Sequence, residues 1–169
     1  MTLPATKIAL DFEALYRAAR DDVFAYVATL LRDRGAAEDV TAQAFERAFR
    51  KSKSYDARRG SERAWLFGIA RNAALDELRK RKRTAELTAE PVDLTHETEE
   101  EAERALRRAA VRAAIAALDP RDRELIALKF HAGLDNAEIA GVLGVSASNA
   151  GTRLHRALTK LREILDDQS

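Results

Sequence analysis

The densest group of basic side chains lies at the end of the segment WLFGIARNAALDELRKRKR, residues 65–83. Five consecutive Arg and Lys residues close this segment, and Trp65, the only tryptophan of the chain, opens it. Cations spaced along a helix can neutralise a row of phosphates, and an aromatic ring can stack on an unpaired base. A solvated charged face and a reader of duplex DNA are the alternatives, and half-buried packing is a common fate of tryptophan. The segment alone leaves these possibilities open.

A second group of polar and basic side chains follows a predicted turn near the end of the chain. Asp135 can cap a short helix over residues 136–143, Gly144 can make a tight turn, and Ser146 can cap a longer helix. This spacing is typical of a helix-turn-helix, whose second helix enters the major groove of DNA. An ordinary helical hairpin in a bundle is the alternative. The side chains in the position of groove-facing residues are Ser148, Asn149, Thr152, Arg153 and Arg156.

The residues that most often carry catalysis or bind metals are few and scattered. His96, His131 and His155 show no HExxH spacing, there is no glycine-rich phosphate loop, and there is no cysteine. We therefore expect neither an enzyme nor a cofactor nor a metal site. No apolar run reaches the roughly 18 residues that a membrane helix needs, and the N-terminus does not have the pattern of a signal peptide. A soluble, cytoplasmic protein is expected.

The elements that must position these groups are predicted to be helices. Ala, Leu, Arg and Glu are abundant, whereas the 3 prolines and 7 glycines are too few for the turns of a small β-barrel. Asp11 can cap a first amphipathic helix, and a turn at residues 32–35 leads to a second helix with Val40, Ala44, Phe45, Ala48 and Phe49 on its apolar face. The polar loop 51–61 precedes the helix that Trp65 opens. These helices must share a core, because each is too short to be stable alone.

Charge divides the chain into three parts. Residues 1–85 hold 18 basic against 12 acidic side chains, residues 86–103 hold none against 8, and residues 104–169 hold 11 against 8. The acidic stretch predicts a solvated flexible tether, although it could also compete with nucleic acid for basic surfaces. We therefore predict an all-α protein of two small helical domains, residues 8–84 and 104–167, joined by an acidic flexible linker over residues 85–103.

Both predicted domains resemble the extracytoplasmic-function (group 4) sigma factors of bacterial RNA polymerase. The segment AAEDVTAQAFERAFR is similar to the part of sigma region 2 that docks on the polymerase, and GSERAWLFGIARNAALDELRKRKR is similar to its strand-opening part. The segments LDPRDRELIALKF and AEIAGVLGVSASNAGTRLHRALTKLR are similar to sigma region 4. The resemblance implies a transcription initiation factor that binds core RNA polymerase through the beta-prime clamp helices and the beta flap, and promoter DNA.

The resemblance also implies a role for particular residues. Asp39, Gln43 and Arg47 are expected to contact the polymerase, and the helix-turn-helix side chains are expected to read the minus-thirty-five element as duplex. The loop around residues 53–61 is expected to hold a base flipped from the non-template strand. The residues expected to contact the melted minus-ten element are Tyr55, Arg58, Arg59, Arg63, Trp65, Arg71, Asn72, Arg79 and Arg83. The acidic linker is expected to thread the RNA path of the polymerase.

Two features depart from the family pattern. Members often have Thr-Val-Lys-Ser-Arg where this chain has Asn149-Ala150-Gly151-Thr152-Arg153. Gly151 is expected to loosen the reading helix by up to about 1 kcal/mol relative to Ala, and it removes a basic phosphate contact. The sequence also ends soon after Leu165, without the further C-terminal domain of some members, so regulation by a separate anti-sigma factor is expected. A stand-alone helix-turn-helix regulator, the main rival, would leave Trp65 and its loop unexplained.

Overall fold

The computed structural model describes residues 10–84 and 98–168, and these residues are helical with no β-strand. None of the helices in these two ranges combines the length and apolar character that crossing a bilayer requires. A short 3-10 helix, Ser52–Ser54, lies between the second and third α-helices. The α-helices are α1 (Phe12–Leu31), α2 (Arg34–Arg50), α3 (Glu62–Thr84), α4 (Glu99–Ala117), α5 (Pro120–Phe130), α6 (Asn136–Leu143) and α7 (Ala147–Asp167).

Helices α1, α2 and α3 pack against one another and form the first lobe. The side chain of Asp11 accepts a hydrogen bond from the Ala14 N–H at 3.1 Å, so it caps α1 as predicted. Asp33 caps α2 in the same way, through the Ala36 N–H. Because α2 already begins at Arg34, the predicted turn at residues 32–35 is shorter than expected. The core of this lobe contains small side chains, which let the helices approach closely, and the fully buried rings of Tyr26 and Phe67.

Helices α4 to α7 form the second lobe, and local capping explains where most of them begin. Asp119 caps α5, and Pro120 occupies its first turn, where a missing N–H costs nothing. Asp135 and Glu138 form a reciprocal capping box at the start of α6, and Ser146 caps α7 through the Asn149 N–H at 3.1 Å. The starts of α6 and α7 agree with the sequence predictions.

The two lobes are packed together rather than separated. Helix α1 contacts α5, and α3 contacts α6. Buried side chains of both lobes belong to one continuous apolar cluster, which includes Val23 and Phe67 from the first lobe and Leu128 and Leu134 from the second. The sequence predicted the two lobes but not this packing. This packing places the second lobe against one side of α3, the helix that carries the five consecutive basic residues 79–83.

Several apolar side chains that follow the helical period are not in the core. Phe49 on α2 is 63% exposed and Leu106 on α4 is 71% exposed. Tyr16 and Val111, also assigned to apolar faces by periodicity, are each 40% exposed. Periodicity marks an apolar face correctly, but neighbouring helices cover these positions only in part. Phe49 instead contacts the ring of Phe12, with centroids 5.2 Å apart, at the edge of the first lobe.

The predicted acidic linker is shorter than expected. Helix α4 begins at Glu99, so residues 99–103 belong to the second lobe rather than to a tether. Thr98 accepts a hydrogen bond from the Glu101 N–H at 3.2 Å, and the carboxylates of the first turn lie at the positive end of the helix dipole. The acidic residues that suggested a solvated tether therefore stabilise a helix start. The remainder of the linker, residues 85–97, lies outside the described residues, as do residues 8 and 9 of the predicted first domain.

Candidate nucleic-acid and polymerase interfaces

The loop between α2 and α3 is organised around Tyr55. Its ring is 7% exposed, and its hydroxyl donates a hydrogen bond to the Gly60 carbonyl at 3.0 Å. The Trp65 ring, half-buried at the start of α3, meets it edge-to-face with centroids 5.5 Å apart. Trp65 therefore braces the loop against the helix, and its contact with a base of the opened strand stays a prediction. In this conformation the two rings shape the loop and offer little free surface for stacking.

The two arginines of this loop lie on its surface. Arg58 donates to both carboxylate oxygens of Asp56 at 3.1 Å, and its side chain is 90% exposed. These hydrogen bonds lower the pKa of Asp56 and raise the pKa of Arg58, so both stay charged. Arg59 is exposed beside them. An exposed ion pair of this kind contributes little to stability. The Arg58 guanidinium can therefore leave the Asp56 carboxylate and bind a phosphate instead.

Helix α3 presents a polar face along its length. Asn72, Arg79 and Arg83 are exposed and lie seven and four residues apart, so they share one side of the helix over about 16 Å. Arg79 pairs with Asp76 at 3.2 Å in an exposed contact. This face has the length and charge to follow several phosphates of a strand. Three of the residues predicted to contact the minus-ten element thus lie on one face of α3.

Arg63 and Arg71, also predicted to contact DNA, are placed differently. Both are half-buried and turned toward the second lobe. The Arg63 guanidinium donates to Asp22 at 2.9 Å and to the Ala132 carbonyl at 3.0 Å. Arg71 forms an ion pair with Glu124 of α5. Neither guanidinium is open to a nucleic acid while the lobes are packed in this way.

The predicted polymerase contacts form a stripe on α2. Asp39, Gln43 and Arg47 are four residues apart in turn, which places them on one side of the helix. Asp39 and Gln43 are exposed, whereas Arg47 is half-buried and pairs with Asp76 of α3 at 3.3 Å. The pair ties the end of the stripe to the helix that carries Asn72.

The helix-turn-helix consists of α6, a turn at Gly144 and α7. Gly144 adopts a left-handed conformation with φ 71°, which other residues disfavour, and this reverses the chain between the two helices. All five predicted reading side chains are exposed on α7: Ser148, Asn149, Thr152, Arg153 and Arg156. The Thr152 hydroxyl donates a hydrogen bond to the Ser148 carbonyl of the same helix at 3.0 Å. Its oxygen can still accept a hydrogen bond from another group. Arg153 and Arg156 also line a cleft between α7 and α5.

An open cleft beside α7 adds cations that the sequence did not single out. Arg121 at the start of α5 lines this cleft together with Arg153, Arg156 and Lys160. Lys160 contacts Asp122 at 2.8 Å, and this hydrogen bond raises the pKa of the Lys160 ammonium. Arg121 was missed because only the packing of α5 on α7 brings it near the reading helix. Its position extends the basic surface of the helix-turn-helix beyond α7 itself.

Gly151 is half-buried and faces α6. A Cβ atom at this position would lie 3.3 Å from the side-chain nitrogen of Asn136, and Asn136 is exposed. The sequence predicted that glycine here loosens the reading helix and removes a basic phosphate contact. The structure adds a close approach of α6, but the neighbour is the end of a flexible side chain rather than backbone.

Replacing Gly151 by Ala is expected to stabilise the protein. The gain in helix propensity is about 1 kcal/mol at most, equivalent to a rise of roughly 2–4 °C in melting temperature, because Asn136 can rotate away. Gly141→Ala is the matched control, since a Cβ atom at this exposed helical glycine would have no neighbour within 4 Å. Thermal unfolding followed by circular dichroism measures both. A fall in melting temperature for Gly151→Ala alone would show that the Asn136 contact is rigid.

The described residues contain no group of three or more His, Asp or Glu side chains placed to hold a metal ion. His131, at the end of α5, has its pKa lowered by burial, so its imidazole is neutral near neutral pH. The functional surfaces consist instead of arginines, amides and hydroxyls. These groups suit binding to phosphates and base edges.

Comparison with known proteins identifies both lobes. Residues 15–84 match the family Sigma-70 region 2, and residues 108–161 match the family Sigma-70, region 4. The chain is 31% identical over 151 residues to the ECF RNA polymerase sigma factor SigK of Mycobacterium ulcerans, covering 85% of this chain and 80% of that protein. It is 31% identical over 160 residues to SigL of Mycobacterium tuberculosis, covering 91% and 90%. It is 30% identical to BldN of Streptomyces coelicolor, covering 94% of this chain but 61% of BldN.

Solved structures share the fold. CnrH, in complex with the cytosolic domain of CnrY, superposes with a TM-score of 0.69 at 26% identity, covering 94% of this chain and 89% of that one. The sigma factor RpoE of Bartonella quintana, in complex with the anti-sigma factor NepR, gives a TM-score of 0.78 at 23% identity, covering 92% and 97%. Both sigma regions match in their usual order, and the chain aligns with most of the length of two relatives at 31% identity. The chain therefore belongs to the ECF RNA polymerase sigma factors.

Proposed function

We propose that this chain binds core RNA polymerase and directs it to promoters, without catalysing a reaction itself. The observation that carries the proposal is the division of polar surfaces between the lobes. One lobe bears a loop and a basic helix face that match sigma region 2, and the other bears an exposed helix-turn-helix that matches region 4. Such a factor acts in the cytoplasm, where the polymerase and the promoter are.

The second lobe is proposed to read the minus-thirty-five element as duplex. Helix α7 has the exposed length to lie in the major groove, with Asn149 and Arg153 near its N-terminus. An asparagine can pair with adenine and an arginine with guanine through two hydrogen bonds each. Arg121 and Arg156 at the flanks suit phosphate contacts, which fix the position of the helix without specifying sequence.

The first lobe is proposed to hold the minus-ten element as a separated strand. Flipping a base out of the stack costs a few kcal/mol, which contacts to the base and to the backbone must offset. The loop braced by Tyr55 and Trp65 supplies a fixed frame, and Arg58 and Arg59 on its surface supply charge. The exposed face of α3, with Asn72, continues the path along the strand.

The polymerase is proposed to bind the α2 stripe of Asp39, Gln43 and Arg47 through its beta-prime clamp helices, and the second lobe through its beta flap. The Arg47–Asp76 pair would then couple docking to the position of α3. An anti-sigma factor is proposed as the regulator. Of the proteins that share this fold, the Bartonella quintana RpoE was solved with the anti-sigma factor NepR, and CnrH was solved with the cytosolic domain of CnrY.

A selection from a promoter library tests this function. Core polymerase together with the chain is expected to enrich templates that carry a fixed pair of short elements, and core alone is expected to enrich none. The free chain is expected to bind the same duplexes weakly, because the strand that the first lobe holds is still paired. A helix-turn-helix regulator would instead bind one duplex site tightly without polymerase. That outcome, with no transcript, would contradict the proposal.

A further inference from the structure

An ionic contact between the lobes involves one of the arginines proposed to bind DNA. Arg71 of α3 donates to the carboxylate of Glu124 on α5, and the Tyr26 hydroxyl of α1 lies 3.5 Å from the same carboxylate oxygen. Glu124 is 8% exposed and Tyr26 is fully buried. The carboxylate is thus enclosed by three helices, two of which belong to the other lobe.

These three side chains bind one another only while the lobes are packed. Burial, and then the negative charge of Glu124, raise the pKa of Tyr26 well above its usual value, so the phenol keeps its proton and can donate to the carboxylate. A buried carboxylate needs such partners, because an uncompensated charge inside a protein is strongly unfavourable. Separation of the lobes would return Glu124 and Arg71 to water, where each is solvated separately.

Other contacts across the same boundary involve the proposed minus-ten surface. Arg63 donates to the Ala132 carbonyl at 3.0 Å, and Ser61, at the end of the loop, contacts Glu138 of α6. The apolar cluster continues from one lobe into the other beneath these polar contacts. When the two lobes are packed together, which we call the closed state, the start of α3 and one of its sides are covered. Asn72, Arg79 and Arg83 stay exposed.

We infer that Glu124 is an autoinhibitory anchor, which adds to the apolar contacts that hold the lobes closed and occupies Arg71 in place of a DNA phosphate. The inference rests on the proposed function, because it assumes that Arg71 contacts the minus-ten strand. A guanidinium binds a carboxylate and a phosphate with the same geometry, so the two compete for one site. The free chain is then largely closed, and its affinity for the strand is reduced by the fraction that is open.

The first experiment compares the unmodified chain with Glu124→Gln in binding a fluorescent single-stranded oligonucleotide that carries the selected minus-ten element. Glutamine preserves the shape of the side chain and removes the charge, so the open fraction should rise and the strand should bind about tenfold more tightly. Glu163→Gln is the matched control. It changes the net charge equally, on an exposed part of α7 that no cross-lobe contact involves. It should leave the affinity within about twofold of the unmodified chain.

A distance measurement reports closure independently of DNA. The chain has no cysteine, so Ala18→Cys on α1 and Thr159→Cys on α7 can carry two spin labels at exposed positions. Double electron–electron resonance should give one short distance for the unmodified chain and for Glu163→Gln. For Glu124→Gln it should give a broad, longer distribution.

Tyr26→Phe provides a second variant for the same anchor, should Glu124→Gln lose its helical circular dichroism. Phenylalanine keeps the edge-to-face contact with Phe67, whose centroid lies 5.4 Å away, and removes only the hydroxyl. Loss of one weak hydrogen bond should raise strand affinity about threefold and lengthen part of the distance distribution. Unchanged distances and unchanged strand affinity in the folded variants would overturn the inference.

Failure of the anchor can be told apart from failure of the proposed function. If the unmodified chain supports promoter-dependent transcription while Glu124→Gln stays closed, the anchor alone is wrong. If Glu124→Gln opens but neither form binds the strand or supports transcription, the proposed function is wrong, and with it the masking of Arg71. Opening accompanied by tighter strand binding supports both.

Discussion

Replacing Arg123 by Ala is expected to lower the free energy of unfolding by about 3 kcal/mol, which is severe for a domain of this size. Arg123 is 9% exposed and lies inside the junction between α4 and α5. Its guanidinium donates to the carbonyls of Ala116 at 3.1 Å and Leu118 at 2.9 Å, and more weakly to Ile115 at 3.4 Å. The Ala116 and Leu118 carbonyls lie at the end of α4, where the helix has no further N–H groups to offer them, whereas the Ile115 carbonyl also accepts the Leu118 N–H at 3.1 Å.

The size of the effect follows from what the variant leaves behind. Removing the guanidinium leaves the Ala116 and Leu118 carbonyls short of a donor, and each unsatisfied buried acceptor costs about 1–3 kcal/mol. Burial lowers the pKa of Arg123 from its very high usual value, yet the group stays charged at any pH at which the protein is studied. The loss should therefore be the same across neutral and mildly acidic conditions.

Urea unfolding followed by circular dichroism measures this change. Arg121→Ala is the matched control, because Arg121 is exposed on the same helix two residues earlier. It should change the free energy of unfolding by less than about 0.5 kcal/mol. If Arg123→Ala and Arg121→Ala have equal effects, the three carbonyl contacts do not hold the junction.

Replacing Asn72 by Ala is expected to reduce promoter-dependent transcription at least about tenfold, equivalent to roughly 1.4 kcal/mol of lost interaction. Asn72 is exposed in the middle of the polar face of α3, where its amide can both donate and accept a hydrogen bond. Because it is exposed, its loss should leave the melting temperature nearly unchanged. The loss of activity would then report a contact with the opened strand rather than a folding defect.

Asn149→Ala is the counterpart in the second lobe and removes the same amide from the reading helix α7. This variant should change which upstream element is preferred, while use of the minus-ten element stays as it was. Transcription from templates altered separately in the two elements distinguishes the variants. Identical responses of Asn72→Ala and Asn149→Ala to both alterations would contradict the division of labour between the lobes.

Local chemistry made the helix starts predictable. Asp11, Asp135 and Ser146 cap helices where the sequence places them, because each accepts hydrogen bonds from N–H groups only two or three residues away. The start of α4 was missed although its signal was present. Thr98 with Glu101 three residues later is a capping pattern, but the surrounding carboxylates suggested a solvated tether.

Contacts between residues far apart in the chain could not be predicted from the sequence. Periodicity assigned Phe49 and Leu106 to apolar faces but could not show that neighbouring helices leave them mostly exposed. It placed Arg71 on a polar face, whereas the structure pairs it with Glu124, 53 residues away. Such a pair depends on how the two lobes pack against each other. The same holds for Arg121, which becomes part of the basic cleft only through the packing of α5 on α7.

Run-off transcription tests the central claim most directly. Purified core polymerase is given a linear template with the selected promoter, with and without the chain, and the RNA is measured. A discrete transcript that requires both the chain and both promoter elements is the predicted result. No transcript, or one that is equally abundant without the chain, would contradict the proposal that this protein directs polymerase to promoters.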